Sequence, residues 1–218
     1  MHRLPRRTVL AVGLTLAASL SAAACSADTN SSDGPTTPDG YTLTEVPDFD
    51  FSLAVPTDWT TLTHDDLDDD ELVATVAEAL GQDADSLRDT ADTFHLISVD
   101  ANATGYAENL AVSQYELEDG LPPAEELAEV TDDDQVSSSD HAQRTTGSGA
   151  DAVLYTASGT LSGSGEAFHI AFMAVSMDAG ATASADAATA PRTATFVMIR
   201  AASADRAQEL ADVVLGSV

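Results

Sequence analysis

The sequence predicts a single α+β domain in which an antiparallel β-sheet packs against helices. Residues Phe49–Val55 alternate bulky apolar with polar or small side chains, and a period of two over this length is typical of a strand with one buried face. Further apolar runs of strand length follow along the chain. Three other segments carry the spacing or the end signals of helices, namely Leu72–Leu80, Ala124–Val130 and Ser203–Leu215.

Residues 1–24 have the layout of a secretory signal peptide. Arg3, Arg6 and Arg7 precede an apolar run, Val9–Leu20, and small residues lead directly to Cys25, the one cysteine of the chain. The apolar run is shorter than the ~20 residues that a membrane-spanning helix needs. A cysteine after small residues resembles a bacterial lipobox, a signal in which the cysteine sulfur receives a diacylglycerol and becomes the first mature residue.

We therefore expect Cys25 to be lipidated. The protein would then be exported and anchored by this lipid to the outer face of the cytoplasmic membrane or in the cell envelope. One alternative is an ordinary cleaved signal, since Ala22 stands where a lipobox usually has leucine. The export route is also open, because Arg6-Arg7 resembles a twin-arginine motif and fits a Sec signal equally well.

Residues 25–40 predict a flexible tether between this anchor and the domain. After Cys25 they are rich in Ser, Thr, Asp, Gly and Pro and contain no bulky apolar residue. Such a segment cannot bury enough surface to order itself. Its root-mean-square reach is roughly 20 Å, which allows the domain to clear the lipid headgroups.

The domain, residues 41–218, begins with a predicted hairpin. Strand-like residues from Tyr41 are separated from Phe49–Val55 by Pro47-Asp48. The acidic run His64–Glu71 then precedes the first helix, where carboxylates cap amides and match the positive end of the helix dipole. Gly81 supplies a stop signal for that helix.

Later segments complete the expected sheet and its last helix. The predicted strands are Thr93–Val99, Asn109–Leu117, Ala152–Ser158, Glu166–Met177 and Thr193–Arg200. Asp132–Thr146 is polar and ambiguous, with an edge strand around Val136 and a second segment near Arg144 as one interpretation, and Asp178–Arg192 predicts a loop. The predicted core residues are Phe51, Leu53, Val55, Trp59, Leu96, Leu110, Val112, Phe172, Phe196, Val197 and Leu210.

The charge of the chain excludes one class of partner. Eight basic and 37 acidic residues give a formal net charge of −29. Such a surface repels nucleic acid and gains nothing from counterion release at phosphates. It also repels anionic lipid headgroups, so only the lipid on Cys25 would hold the protein at a membrane. Divalent cations are expected to bind nonspecifically, and a lone cysteine allows no disulfide within the chain.

Several short features occur together along the domain. In chain order they are Phe49-x-Phe51-x-Leu53-x-Val55-Pro56-x-x-Trp59, a helical insert, Asn109-Leu110-Ala111-Val112, paired strands and a terminal helix. The combination resembles the Mog1/PsbP-like fold and, within it, actinobacterial LpqN/LpqT-type lipoproteins, from about Tyr41 to Val218. The resemblance implies an antiparallel sheet backed by helices and a binding or scaffolding protein. Members are mostly without known enzymatic activity, so the resemblance transfers no catalytic residue and no cofactor.

The candidate ligand-facing residues are His95, His169 and Met173, all in predicted strands. The acidic runs fail the calcium-loop pattern, because Glu71 stands where that loop needs glycine. No zinc, phosphate-loop or nucleophile-elbow motif occurs. We therefore expect a non-catalytic binding or scaffolding module for a protein partner or an envelope lipid or glycan. The alternative is a metal-dependent or hydrolytic envelope enzyme that uses His95 and His169.

Overall fold

The computed structural model describes residues 35–47, 49, 51–91, 93–117, 121–131, 135–161, 165–177 and 192–218. All of them belong to one compact unit, Asp33–Val218. The predicted signal peptide, Cys25, most of the tether and nearly all of the loop Asp178–Arg192 lie outside the described residues. Within these residues the α+β class is confirmed, because a mostly antiparallel sheet packs against helices.

The described part of the chain contains nine strands and four helices. The strands are β1 (Tyr41–Glu45), β2 (Ser52–Pro56), β3 (Thr60–Thr63), β4 (Leu96–Val99), β5 (Asn109–Leu117), β6 (Gln135–Thr145), β7 (Asp151–Thr160), β8 (Ala167–Ser176) and β9 (Arg192–Arg200). The helices are α1 (Asp70–Leu80), α2 (Ala84–Ala91), α3 (Ala124–Ala128) and α4 (Ala204–Ser217). Single 3₁₀ turns follow β3 and α3.

Strands β1 and β2 form the predicted hairpin, a separate two-stranded antiparallel sheet. The other strands form one seven-stranded sheet in the order β3-β4-β5-β9-β8-β7-β6, and every neighbouring pair is antiparallel. Strand β9 therefore lies in the centre, between β5 and β8. Strand β6 forms one edge of this sheet.

Helix ends follow the signals in the sequence. Asp69 precedes α1 and its side chain accepts hydrogen bonds from the amides of Glu71 and Leu72. Gly81 ends that helix in the left-handed conformation, with φ of 71°. Ser203 caps α4 by accepting a hydrogen bond from the amide of Arg206. Both helices therefore begin, and α1 also ends, at residues that favour a helix terminus.

The two faces of the large sheet are covered by different elements. The inner face, which includes Leu110, Met173 and Val197, packs against α4 and β2. The outer face packs against α1 and α2 near β4, and against α3 near β7 and β8. Because side chains alternate along a strand, successive residues of β8 belong to different clusters, with Met173 inside and Phe172 outside.

Several details of the predicted elements are wrong. Strand β3 was not predicted, and His95 lies just before β4 instead of within a strand. The two segments expected near Val136 and Arg144 are one strand, β6, which contains a bulge between Val136 and Ser138.

Most of the predicted core residues are buried, but three pack only at its margin. These three, Phe51, Trp59 and Phe172, are half-buried. The buried core is built mainly from Leu, Val, Ile and Ala side chains, with few aromatic rings.

One ion pair connects the start of α4 to the strands. The Arg206 guanidinium lies 3.2 Å from Glu108 and also donates to the Tyr41 hydroxyl. Burial by itself would lower the pKa of Arg206, but hydrogen bonds to Glu209, Glu108 and Tyr41 outweigh it and raise the pKa above its ordinary value. The Glu108 side chain, only 15% exposed, also accepts a hydrogen bond from the Ala202 amide. The positive charge of Arg206 therefore balances the negative charge of the largely buried Glu108 carboxylate.

Replacing Arg206 by alanine is expected to lower the free energy of unfolding by about 2 kcal/mol, because Glu108 would lose its cation in a largely buried position. Urea denaturation followed by circular dichroism measures this change. The matched control is Arg88→Ala, whose ion-pair partners Asp70 and Asp85 are almost fully exposed, and its cost should be about 0.5 kcal/mol. Equal costs for the two variants would contradict the role assigned to Arg206.

Candidate functional site

A large cleft lies between the β1–β2 hairpin and one end of the seven-stranded sheet. Its volume is about 820 Å³, within the range of small-molecule sites. Residues from the hairpin, from β5, from the β8 end, from β9 and from the end of α4 line it. A site of this kind exists only after these separate segments have come together.

The end of α4 is held in place by three backbone hydrogen bonds. The amides of Thr36, Gly147 and Ser148 donate to carbonyls of Gly216, Leu215 and Val218, respectively. Gly147 must lack a side chain here, because an added Cβ would lie 2.3 Å from the Gly216 oxygen.

The hydroxyl of Ser217 connects the same end of the helix to the hairpin. It accepts a hydrogen bond from the amide of Ala54 in β2 and donates to the carbonyl of Val214. Ser217 and Val218 line the cleft, so these bonds fix one of its walls.

An aromatic wall faces this helix end. Phe49 and Phe51 both line the cleft, with ring centroids 6.3 Å apart. His95 packs edge-on against Phe49 at 4.4 Å and so supports the wall from the side of the large sheet. Leu43 of β1 adds an apolar side chain that is 49% exposed. These residues provide the apolar part of a binding surface.

Polar side chains form the rest of the lining. Gln114, Ser176 and Thr193 are half-buried, and none of their side chains has a hydrogen bond to another residue in the described ranges. Amide and hydroxyl groups in this state can bond to water or to a ligand. The only side-chain charge among the lining residues is the carboxylate of Glu45, so the cleft favours an uncharged polar group over an anion.

Thr195 lies in register beside this polar lining. It pairs with Gln114 on β5 and Val175 on β8, between the cleft residue Thr193 and the core residue Val197 of its own strand. Its hydroxyl is buried, and no described group hydrogen-bonds to it. A buried hydroxyl without a partner costs about 1–3 kcal/mol. This cost falls on a residue that pairs with the cleft residue Gln114.

Met173, one of the candidate ligand-facing residues, is not among the residues that line the cleft. It is fully buried in the inner cluster beneath α4, together with Val175. The sheet face that carries Met173 is therefore covered by side chains of α4. The period of two predicted for β8 is correct, but the face that includes Met173 and Val175 belongs to the buried core.

The structure does not bring His95 and His169 together. His95 immediately precedes β4 and His169 lies in β8, and two strands of the sheet, β5 and β9, lie between them. Three interstrand spacings and about five residues along the strands place them roughly 20 Å apart. Zinc ligation needs each ring nitrogen at about 2.0–2.1 Å from the ion, so these two side chains cannot share one metal.

His169 instead pairs with Ser158 on the adjacent strand. Its Nδ1 lies 2.8 Å from the Ser158 hydroxyl, directly opposite on β7. A cross-strand pair of this kind satisfies one ring nitrogen and stabilises the sheet. The hydrogen bond described for the ring is therefore to a hydroxyl, whereas a general base is usually oriented by a carboxylate.

The remaining features of the described chain add no catalytic constellation. No group of three His, Cys, Asp or Glu side chains that could hold a metal ion occurs in the residues that the structure describes. Among these same residues, no helix combines the length and the apolar character required to cross a membrane.

Sequence reasoning missed the cleft because its lining residues are far apart in the chain. The sequence pattern predicts only that Phe49 and Phe51 lie in a strand with one buried face. Gln114, Thr193 and Thr195 belong to no motif. A weak signal was available, since polar residues interrupt the inner alternation near the ends of β5 and β9. Only the pairing of those strand ends with the hairpin gives the signal a meaning.

Comparison with known proteins identifies no family for this chain. No protein-family description matches the sequence, and no curated protein matches it significantly. One similar solved structure is LpqN of Mycobacterium tuberculosis, described as involved in cell envelope biogenesis. It is 13% identical with a TM-score of 0.46, over 83% of this chain and 86% of that chain. Similarity of this degree establishes neither family nor function, and the Mog1/PsbP-like assignment stays a prediction.

Proposed function

We propose that this chain is a lipid-anchored envelope protein whose domain binds a small amphiphilic molecule, an envelope lipid or glycan, without catalysis. The cleft between the hairpin and the sheet carries the proposal. It combines an apolar wall, which includes Phe49 and Phe51, with polar groups that have no described protein partner, which include Gln114 and Thr193. This mixture of apolar area and a few polar groups is typical of small-molecule sites.

The envelope location is supported by the sequence of residues 1–40. An apolar signal that ends at Cys25, followed by a polar spacer, places a domain at a membrane surface on its exported side. The strong negative charge supports an uncharged or zwitterionic ligand, because a molecule with net −29 repels anions. The described part of the domain begins at Pro35, which itself lines the cleft. A tethered domain of this form keeps its site within reach of the membrane.

A charge inserted into the cleft tests the site. Leu43→Glu is expected to weaken binding of the neutral apolar probe N-phenyl-1-naphthylamine about tenfold, because a carboxylate would stand beside Phe49 and Phe51. Fluorescence titration of the purified full chain measures the affinity. Leu43 is half-exposed, so the substitution leaves the core intact.

The matched control is Thr42→Glu, which adds the same charge to the neighbouring residue of β1. Thr42 is exposed, and its side chain is not part of the cleft lining. Its affinity for the probe should equal that of the unaltered chain. Equal weakening by both variants, or by neither, would refute the cleft as the site.

The natural ligand can then be identified by mass spectrometry of lipids and glycans that copurify with the full chain from native membranes. Enrichment that Leu43→Glu abolishes and Thr42→Glu preserves would support the proposal. Substrate turnover in a hydrolase screen, lost in His169→Ala, would instead support the enzyme alternative.

A further inference from the structure

Strand β6 is a long free edge of the large sheet. It spans Gln135–Thr145 and, among the residues that the structure describes, pairs on one side only, with β7. All its residues are exposed except Ala142, which is half-buried. A free edge presents unpaired amides and carbonyls that can pair with another strand. The other edge, β3, has only four residues.

Most of β6 lacks the usual protection against such pairing. Native edges are commonly blocked by lysine, proline, inward charges or bulges. The bulge between Val136 and Ser138 disrupts only the first part of the strand, and pairing with β7 is regular from Ser138 to Thr145. This regular part contains no proline and no lysine, and its only formal charges are Asp140 and Arg144. It is therefore neutral on a chain of net charge −29.

The hydrogen-bond pattern shows which backbone groups point outward. The Thr146 amide donates to the Ala150 carbonyl at the closed end of the β6–β7 hairpin. Hydrogen-bonded residues alternate in an antiparallel pair, so Ser139, His141 and Gln143 direct their amides and carbonyls away from β7. The Arg144 side chain donates to the carbonyl of Gln143, which agrees with this assignment.

We propose that β6 pairs with β6 of a second copy of this chain, antiparallel, about a two-fold axis through Ala142. In this register His141 faces Gln143 of the second copy, and both residues have outward backbone groups. Asp140 and Arg144 then face each other across the interface twice. Opposite charges in directly opposed positions stabilise a strand pair.

Neighbouring registers lack this complementarity. With the axis through Asp140 or through Arg144, two like charges face each other directly, which is destabilising. With the axis through His141 or Gln143, neither charged residue faces an opposite charge. The axis through Ala142 therefore combines backbone pairing with both charge pairs, and the two seven-stranded sheets join into one.

Cysteine cross-linking in the full chain tests the register. Ala142→Cys places a thiol opposite itself at a pair that is not hydrogen-bonded, where the Cα atoms of two strands approach most closely. We expect most of this variant to form a disulfide-linked dimer in oxidised membranes. Thr145→Cys is the matched control on the same strand. Its thiol would face Ser139 of the second copy, so its dimers should not exceed the background seen with the unaltered chain.

Charge exchange provides a second readout. Asp140→Arg places the new charge opposite Arg144 of the second copy and should weaken dimerisation about tenfold in sedimentation experiments. The double variant Asp140→Arg, Arg144→Asp restores opposite charges and should restore the dimer. A monomer at all concentrations, equal cross-linking at residues 142 and 145, or failure of the double variant to recover would overturn the proposal. A different partner on β6 would appear as cross-linking of Ala142→Cys to another protein instead of to itself.

Discussion

Replacing Leu210 by alanine is expected to lower the free energy of unfolding by about 3–4 kcal/mol. Leu210 lies on the buried face of α4 and belongs to the inner cluster with Met173 and Val197. The substitution removes apolar atoms from contact and leaves a cavity that the sheet beneath a long helix cannot collapse to fill. Equilibrium urea denaturation, followed by circular dichroism, measures the loss.

Asp212→Ala is the matched control in the same helix. Asp212 is exposed, and its carboxylate only accepts a hydrogen bond from Gln208. A surface change of this kind is expected to cost at most about 0.5 kcal/mol. If Leu210→Ala were as mild as the control, α4 would not be the element that covers the inner face, and the assigned core would be wrong.

Replacing Cys25 by alanine is expected to move the protein from the membrane fraction to the soluble fraction almost completely. Cys25 is the only cysteine, so it is the only thiol that could carry a diacylglycerol. Each buried methylene of a lipid chain contributes about 0.8 kcal/mol to membrane binding, and two chains together give a stable anchor. The acidic surface cannot replace this anchor, because it repels anionic headgroups.

Cell fractionation with immunoblotting measures this release, and Ser26→Ala is the matched control, which should stay in the membrane. Intact-mass analysis of the native N-terminus provides the chemical readout. An unmodified Cys25, or a mature chain that begins elsewhere, would contradict lipidation. Membrane retention of Cys25→Ala would indicate that a different feature holds the protein there.

These experiments test three independent features of the protein. Leu210→Ala examines the core, Cys25→Ala examines the attachment, and Leu43→Glu examines the cleft. Because the three residues are distant in sequence and serve different surfaces, a failure of one prediction leaves the other two standing.

Local chemistry made several elements predictable from the sequence. Period-two alternation located β2, and Asn109–Leu117 matches the bounds of β5. Capping side chains and a glycine stop located the ends of α1 and the beginning of α4, since these signals act within one helical turn. A weakly apolar segment such as β6 was harder to predict, because its pairing with β7 and not its own composition makes it a strand.

The sequence by itself determined the α+β class, most helix ends and the charge that disfavours nucleic acid. The tertiary structure decided which element covers each face of β8. Both faces are apolar, and only the positions of α4 and α3 assign Met173 to the inner cluster and Phe172 to the margin of the outer one. The tertiary structure also separated His95 from His169, through a strand order that differs from chain order. The cleft arises in the same way, since long-range pairing brings Phe49, Gln114 and Val218 to one place. Local patterns specify how a segment folds, whereas sites are built from contacts between segments, which no single stretch of sequence encodes.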